Sequence, residues 1–259
     1  MNIKLIAPVL FFVLVILVPH ISSADISWDQ TDTTVEAGET IVTNQTISIA
    51  GMVFAIETGD GMRIIMDIPN DRLVMIDSAN ETYTETSISA MEQGMNDTRL
   101  ETDRMIAEAL KDIPPAQRAE IEAMMRKQMG TIEEAPQAAA PPLSYSPTGA
   151  TERIAGHTAA QYTAREDDGT VHELWGCTDI KLDEVQEFYR NIKSIDMFGN
   201  LGEAEQALSY GFPLRTITRG RDGVTNTSEV TSIRHDPVPR TVLTVPEGFT
   251  REESLFEMR

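Results

Sequence analysis

Between Thr40 and Ser87 apolar residues recur with period two, and turn signals break the run every ten to twelve residues. Met52, Phe54 and Ile56 share one strand face. Thr58-Gly59-Asp60-Gly61 carries Asp-Gly turn chemistry. Met62, Ile64 and Met66 share the next face, and Pro69-Asn70-Asp71 turns the chain again. Leu73 and Met75 alternate with Val74 and Ile76, and Ser78-Ala79-Asn80 leads into Thr82–Thr86. Short strands at this spacing predict consecutive antiparallel hairpins. Several of them are apolar on both faces. The sheet is therefore expected to be covered on both sides, or curved around an apolar interior.

The period changes after Ser87. Residues 88–129 read as a helical segment: Ile106, Ala109, Leu110 and Ile113 follow helical spacing, and Pro114-Pro115 stop that helix. Ile121, Met124, Met125 and Met129 then line one face of a second helix. Residues 130–149 are rich in Pro and Ala and read as a flexible loop. Strands return over 150–176, with a turn at Glu166-Asp167-Asp168-Gly169. Leu182, Val185, Phe188, Ile192 and Ile195 predict an amphipathic helix. Strands follow at Gly211–Arg219, Thr225–Arg234 and Arg240–Val245, and the polar stretch 25–39 reads as a lead-in or edge segment. Runs of strands and runs of helices, rather than strict alternation, predict an α+β fold with an antiparallel sheet, in a single domain over 25–259.

Residues 1–24 have the form of a secretory signal peptide: Lys4, an apolar run from Leu5 to Val18, then Pro19 and the small residues Ser22-Ser23-Ala24. A periplasmic or extracellular location is the expectation, with no transmembrane segment once that stretch is removed. Cys177 is the only cysteine, so no disulfide within the chain supports the fold, which must rest on its core. About 235 residues suffice for that. Cys177 itself reads as a small buried residue beside Trp175. Acids outnumber bases 41 to 21, a net charge of −20. That excess argues against nucleic-acid partners, whose binding rests on Lys and Arg neutralising phosphates.

The sequence holds little catalytic vocabulary. His157, His172 and His235 fall in no metal-binding spacing, there is no nucleophile elbow, and no phosphate-binding or dinucleotide loop occurs. No cofactor, metal or catalytic residue is expected, and the chain reads as a non-enzyme. Methionine is the compositional oddity: 13 in all, with Met91, Met95, Met105, Met124, Met125 and Met129 close together. Thioethers bind Cu(I), form adaptable apolar surfaces, or pack as ordinary core. All three readings stand at this level.

Residues 171–176 (VHELWG), Gly211-Phe212-Pro213-Leu214-Arg215, Ser228–Ile233, and the ending Val245-Pro246-Glu247-Gly248-Phe249 together resemble a bacterial secreted family known only as domain of unknown function 4412. The pattern is similar, more loosely, to the periplasmic lipoprotein carriers of the LolA/LolB superfamily. That resemblance implies a curved, incompletely closed antiparallel sheet, a LolA-like half-barrel, with helices covering the concave face. It also implies an apolar ligand such as lipid acyl chains, or else an envelope protein partner bound by a filled-core module. Candidate ligand-binding residues are Phe54, Ile56, Met62, Ile64, Met66, Met75, Met124, Met125 and Met129. Arg215 has two readings, a contact for an anionic head group or a salt-bridged strand residue. Gly211, Pro213, Pro246 and Gly248 read as structural.

Overall fold

A computed structural model describes residues 25–111, 113–114, 117–118, 121–122, 124–125, 143–180, 185–186 and 207–254. The signal-peptide reading, Met129, residues 130–142 and all but Val185 of the apolar positions expected on a helix over 182–195 lie outside them.

The alternating segment forms its hairpins. Strands β1 (Ile26–Glu36), β2 (Glu39–Ala50), β3 (Val53–Thr58), β4 (Met62–Asp67), β5 (Arg72–Asp77) and β6 (Thr82–Thr86) pair in sequence, each antiparallel to the next. After a helix come β7 (Ser146–Ile154), β8 (His157–Arg165), β9 (Val171–Cys177), β10 (Phe212–Arg219), β11 (Thr225–Arg234) and β12 (Thr250–Glu252). All belong to one open sheet of 12 strands, ordered β12-β6-β5-β4-β3-β2-β1-β11-β10-β9-β8-β7. A sheet this wide must twist and curl. The two meanders join where β1 pairs with β11.

Cross-strand partners share a face, so the register sorts the side chains of β1–β6 into two sets. One carries Ile26, Trp28, Ile47, Ile49, Phe54, Ile56, Ile64, Met66 and Leu73, packed with Ile88 and Met91 of α1 (Ile88–Ala109). We call this the α1 face. The other carries Val53, Ala55, Ile65, Val74, Ile76 and Tyr83, packed under Val242, Leu243, Val245 and Phe249. The chain from Pro239 to Phe249 crosses that side as a strap, and we call it the strap face. The two-sided apolar pattern of β3–β5 thus has a physical cause: each face meets a covering segment, the strap on one side and α1 over part of the other.

Two local devices place α1. Ser87 caps it, its Oγ accepting the Ala90 N–H at 2.9 Å. Asp71, in the β4–β5 turn with φ of 50°, accepts the Ser89 N–H at 2.9 Å and the Ser89 hydroxyl at 2.5 Å. These bonds hold the Asp71 carboxyl below the usual carboxylate range. The helix ends at Ala109, a few residues before the Pro114-Pro115 stop that the sequence predicts.

Three expectations are corrected. Residues 25–39 are not a lead-in or edge: β1 lies inside the sheet, between β2 and β11. Its polar residues are matched across the strands. The Thr31 hydroxyl donates to Asn44 at 2.8 Å, and Asp29 accepts from Thr46 at 2.8 Å, from Ser232 at 2.6 Å and from both terminal nitrogens of Arg234. Threonine, being β-branched, suits a strand when its hydroxyl finds a partner. Arg240–Val245 is not a strand. It opens as a 3-10 turn over Arg240–Val242, because its apolar side chains are drawn onto the strap face and flanking prolines withhold ladder donors. The strand at this end is β12, parallel to β6. Finally, β7 begins at Ser146, inside the segment expected as a flexible loop. Pro147 and Gly149 (φ 82°) sit at an irregularity of this edge strand, where both residue types are tolerated.

Candidate functional site: an apolar sheet face

On the α1 face the register stacks residues in rows. The first row, Ile26, Ile49, Phe54, Met66, Leu73 and Thr86, is almost wholly closed: Ile49 and Met66 have no exposed surface. The second runs Ile233, Trp28, Ile47, Ile56, Ile64, Met75, Thr84. Here Ile56 and Ile64 are half-buried and Met75 is 37% exposed. In the third row Val230, Gln30, Gln45 and Thr58 lie in line, followed by Met62, 38% exposed, and then by its partners Asp77 and Thr82. Apolar surface therefore continues from a sealed core to a partly open margin on one face. The six strand residues expected from the sequence, Phe54, Ile56, Met62, Ile64, Met66 and Met75, all fall on it.

The margin is polar beyond Trp28. The Trp28 indole N–H points to Gln30 Oε1 at 3.4 Å. Gln30 and Gln45 each donate an amide N–H to Asp32, at 3.0 and 2.6 Å, one to each carboxylate oxygen. No motif flags these three residues. Only the pairing of β1 with β2 brings them together. Thr86, buried at the end of the first row, has a hydroxyl with no hydrogen-bond partner among the described residues.

Arg215 is elsewhere. The register Arg215–Glu229–Thr31–Asn44 ends on the side of β2 opposite Ile47 and Ile49. Its guanidinium donates from Nε to Glu229 at 2.5 Å and from both terminal nitrogens to Glu152 of β7, at 2.8 and 3.0 Å. It also lies 5.6 Å from the centroid of the Trp175 ring. The two carboxylates push its pKa well above the ordinary arginine value, the Glu152 hydrogen bonds contributing most. Arg215 ties three strands together and is not at the open margin of the apolar face. The same register puts Arg63, Arg72, Arg219 and Arg234 on the strap face. Arg63 and Arg72 pair there with Glu57 and Glu85. Strands β1–β6, β10 and β11 contain no other arginine and no lysine. Their α1 face therefore carries no cation.

The helical methionines divide. Met91 is buried in the α1-face cluster. Met95, Met105 and Met124 are exposed, and Met125 is half-buried. The positions described around 117–125 are helical, and nothing described joins Met124 or Met125 to the strand methionines.

Cys177 is fully buried. It lies where β9 meets Gly211, whose φ of 106° and near contact with the Cys177 carbonyl exclude a side chain. His172 is buried between Glu166, 2.6 Å from Nε2, and Thr218, 3.3 Å from Nδ1. The series hydroxyl–imidazole–carboxylate matches a hydrolytic relay only in composition. Thr218 lies within the ladder near the end of β10, paired with His172 on one side and Asn226 on the other, so backbone N–H groups beside it are committed to the ladder rather than to an oxyanion. Among the described residues, no group of three or more His, Cys, Asp or Glu is placed to hold a metal ion, and no helix is long and apolar enough to cross a membrane.

No family model matches the chain, so the resemblance to family 4412 has no counterpart there. No curated protein matches either. Solved structures do. An uncharacterized conserved protein from Thermus thermophilus is similar at 8% identity over 90% of this chain and 91% of that one, with a TM-score of 0.43. A LolA superfamily protein from Nitrosomonas europaea is similar at 9% identity over 85% and 90%, with a TM-score of 0.31. The Pseudomonas aeruginosa MucA/MucB complex contains a chain similar at 11% identity over 84% of this chain and 55% of that one, with a TM-score of 0.36.

Proposed function

We propose that this chain is an exported, non-enzymatic binding protein that holds an apolar ligand, such as lipid acyl chains, on the α1 face of β1–β5. One observation carries the reading. Apolar side chains on this face run without a break from fully buried positions (Ile49, Met66) to partly open ones (Ile56, Ile64, Met62, Met75). Ligand sites for apolar molecules are concave, mainly apolar and edged by a few polar groups. The strap face also carries apolar residues, yet the chain's own residues close it. Methionine at the open margin suits a surface that must fit flexible chains. The signal-like residues 1–24 accord with a role in the cell envelope.

The test is native mass spectrometry of the protein purified gently from envelope fractions, against Ile56→Asp and Met75→Asp. A bound mass lost on organic extraction is expected for the native sequence. Both variants are expected to lose it while keeping the far-UV circular dichroism of the parent. A ligand-free native protein after incubation with envelope lipids would overturn the reading and favour a protein-interaction module with a filled core.

A further inference from the structure

The absence of arginine and lysine from the α1 face of β1–β6, β10 and β11, set beside the charge on its margin, restricts the ligand's head. We infer that the face takes an acyl amphiphile whose head carries hydroxyl or amide groups and no negative charge, and that Asp32 enforces this choice. The inference rests on the acyl-chain reading above and narrows it.

Three observations converge. First, every arginine of β1–β6, β10 and β11 projects from the strap face, and no lysine occurs in these strands. A carboxylate or phosphate placed on the α1 face would find no guanidinium or ammonium from these strands. Second, the row next to the open apolar row carries the amides Gln30 and Gln45, and the row beyond it a carboxylate that both amides hold. Asp32 accepts from Gln30 and Gln45 and lies two rows beyond Trp28 on the same face, with Gln30 between them. Each Asp32 oxygen accepts one amide proton and keeps a lone pair for another donor. Ser228 pairs with Asp32 on this face, and Thr58, whose hydroxyl donates to Asp60, pairs with Gln45. A head with hydroxyls satisfies such a mixed set of donors and acceptors. An anionic head would desolvate beside Asp32 and meet a like charge there. Third, the whole chain carries −20, which lowers the local concentration of anions at its surface.

The arginines of these strands are engaged with carboxylates on the far side. Arg215 is closed off by Glu152 and Glu229, Arg234 by Asp29, and Arg63 by Glu57. None of these is left over to draw an anion to the strands.

The experiment compares two probes with one tail: monopalmitoylglycerol and palmitate, each titrated below its micellar concentration at pH 8 into the protein from residue 25 onward, with intrinsic tryptophan fluorescence as readout. The expected result is at least about tenfold tighter binding of the neutral probe, the scale of one poorly compensated charge at a partly open site. Asp32→Asn is expected to shrink that ratio to about threefold or less, and Asp32→Arg to reverse it in favour of palmitate, by the reversal of charge. Ile56→Asp should abolish binding of both probes. Equal affinities for the native sequence, or tighter palmitate binding, would overturn the inference and leave the acyl-chain reading standing. An unchanged ratio in Asp32→Asn would overturn the role of Asp32, and this variant carries the test if Asp32→Arg does not fold. Failure of the native protein to bind either probe would overturn the acyl-chain reading and this inference with it.

Discussion

The two faces of β3–β5 are made from the same short strands, with two isoleucines on each, three methionines on one and two valines on the other, yet they end in different states. On the strap face Ala55, Ile65, Val74 and Ile76 are covered by Val242, Leu243, Val245 and Phe249, and ion pairs border the cluster. On the α1 face the neighbouring residues Phe54, Ile56, Ile64 and Met75 are only half-covered, and the polar margin contains amides and carboxylate without a cation. The contrast separates apolar surface that serves stability from apolar surface kept accessible. Paired charges also complete the closed side: the Arg63 guanidinium donates to Glu57 at 2.8 Å and to the Thr241 carbonyl at 3.1 Å, which pins the strap to the sheet.

The sharpest way to break this contrast is to truncate adjacent residues of one strand. Ile65→Ala, under the strap, should cost about 2–4 kcal/mol, the usual range for emptying a closed site. Ile64→Ala, its neighbour on the α1 face, should cost about 1–2 kcal/mol, because its side chain is already half in water. Urea denaturation of both variants measures the difference. Equal losses would mean that both faces are equally closed and would remove the basis for a ligand there.

Next in size is the charged anchor of the strap face. Asp29 accepts from Arg234, Ser232 and Thr46, and the Arg234 hydrogen bonds are the main reason its carboxyl lies far below the ordinary aspartate range. A depressed native pKa stabilises the fold at pH values above the unfolded value, near 4, and that contribution fades as the pH drops below it. Asp29→Asn should therefore lower stability at pH 7 by about 1 kcal/mol, a modest figure because the pair is partly exposed and screened. The variant should also show a shallower loss of melting temperature between pH 4 and pH 2 than the parent. The smallest effect is expected at the start of α1. Ser87→Ala removes the cap and should cost about 0.5–1 kcal/mol. If α1 helps close the apolar face, that variant should also release bound ligand faster, as read by stopped-flow displacement.

Much of this architecture was legible in the residues. The period-two runs and Asp-Gly turns located β3, β4 and β5 closely, and Thr225–Arg234 was bounded as a strand at both ends. These elements are legible because each hairpin is decided by local turn chemistry and by alternation along one strand. The two-sided apolar pattern even announced a second cover for the sheet. The identity of that cover was not legible. Val242, Leu243 and Val245 read as a strand in isolation, and their docking onto residues far earlier in the chain is a long-range event with no local signature. β1 misled for the converse reason. Its threonines and aspartates look like surface until β2 and β11 supply partners on both sides.

The candidate site divides along the same line. Alternation alone grouped Phe54 with Ile56, Met62 with Ile64 and Met66, and it set Met75 apart from Val74 and Ile76, since side chains two residues apart in a strand must share a face. Alternation cannot say which face is closed, because that depends on where a strap and a helix from other parts of the chain come to rest. Nor can it place Arg215, whose side is set by the register of β10 on β11 and of β11 on β1. A shift of one residue in either pairing would turn that guanidinium to the other face. Local geometry thus determined the strands and their two sets of side chains. Only the tertiary structure decided which set is sealed, which stays open, and on which side the charges lie, because those outcomes rest on contacts between residues distant in the chain.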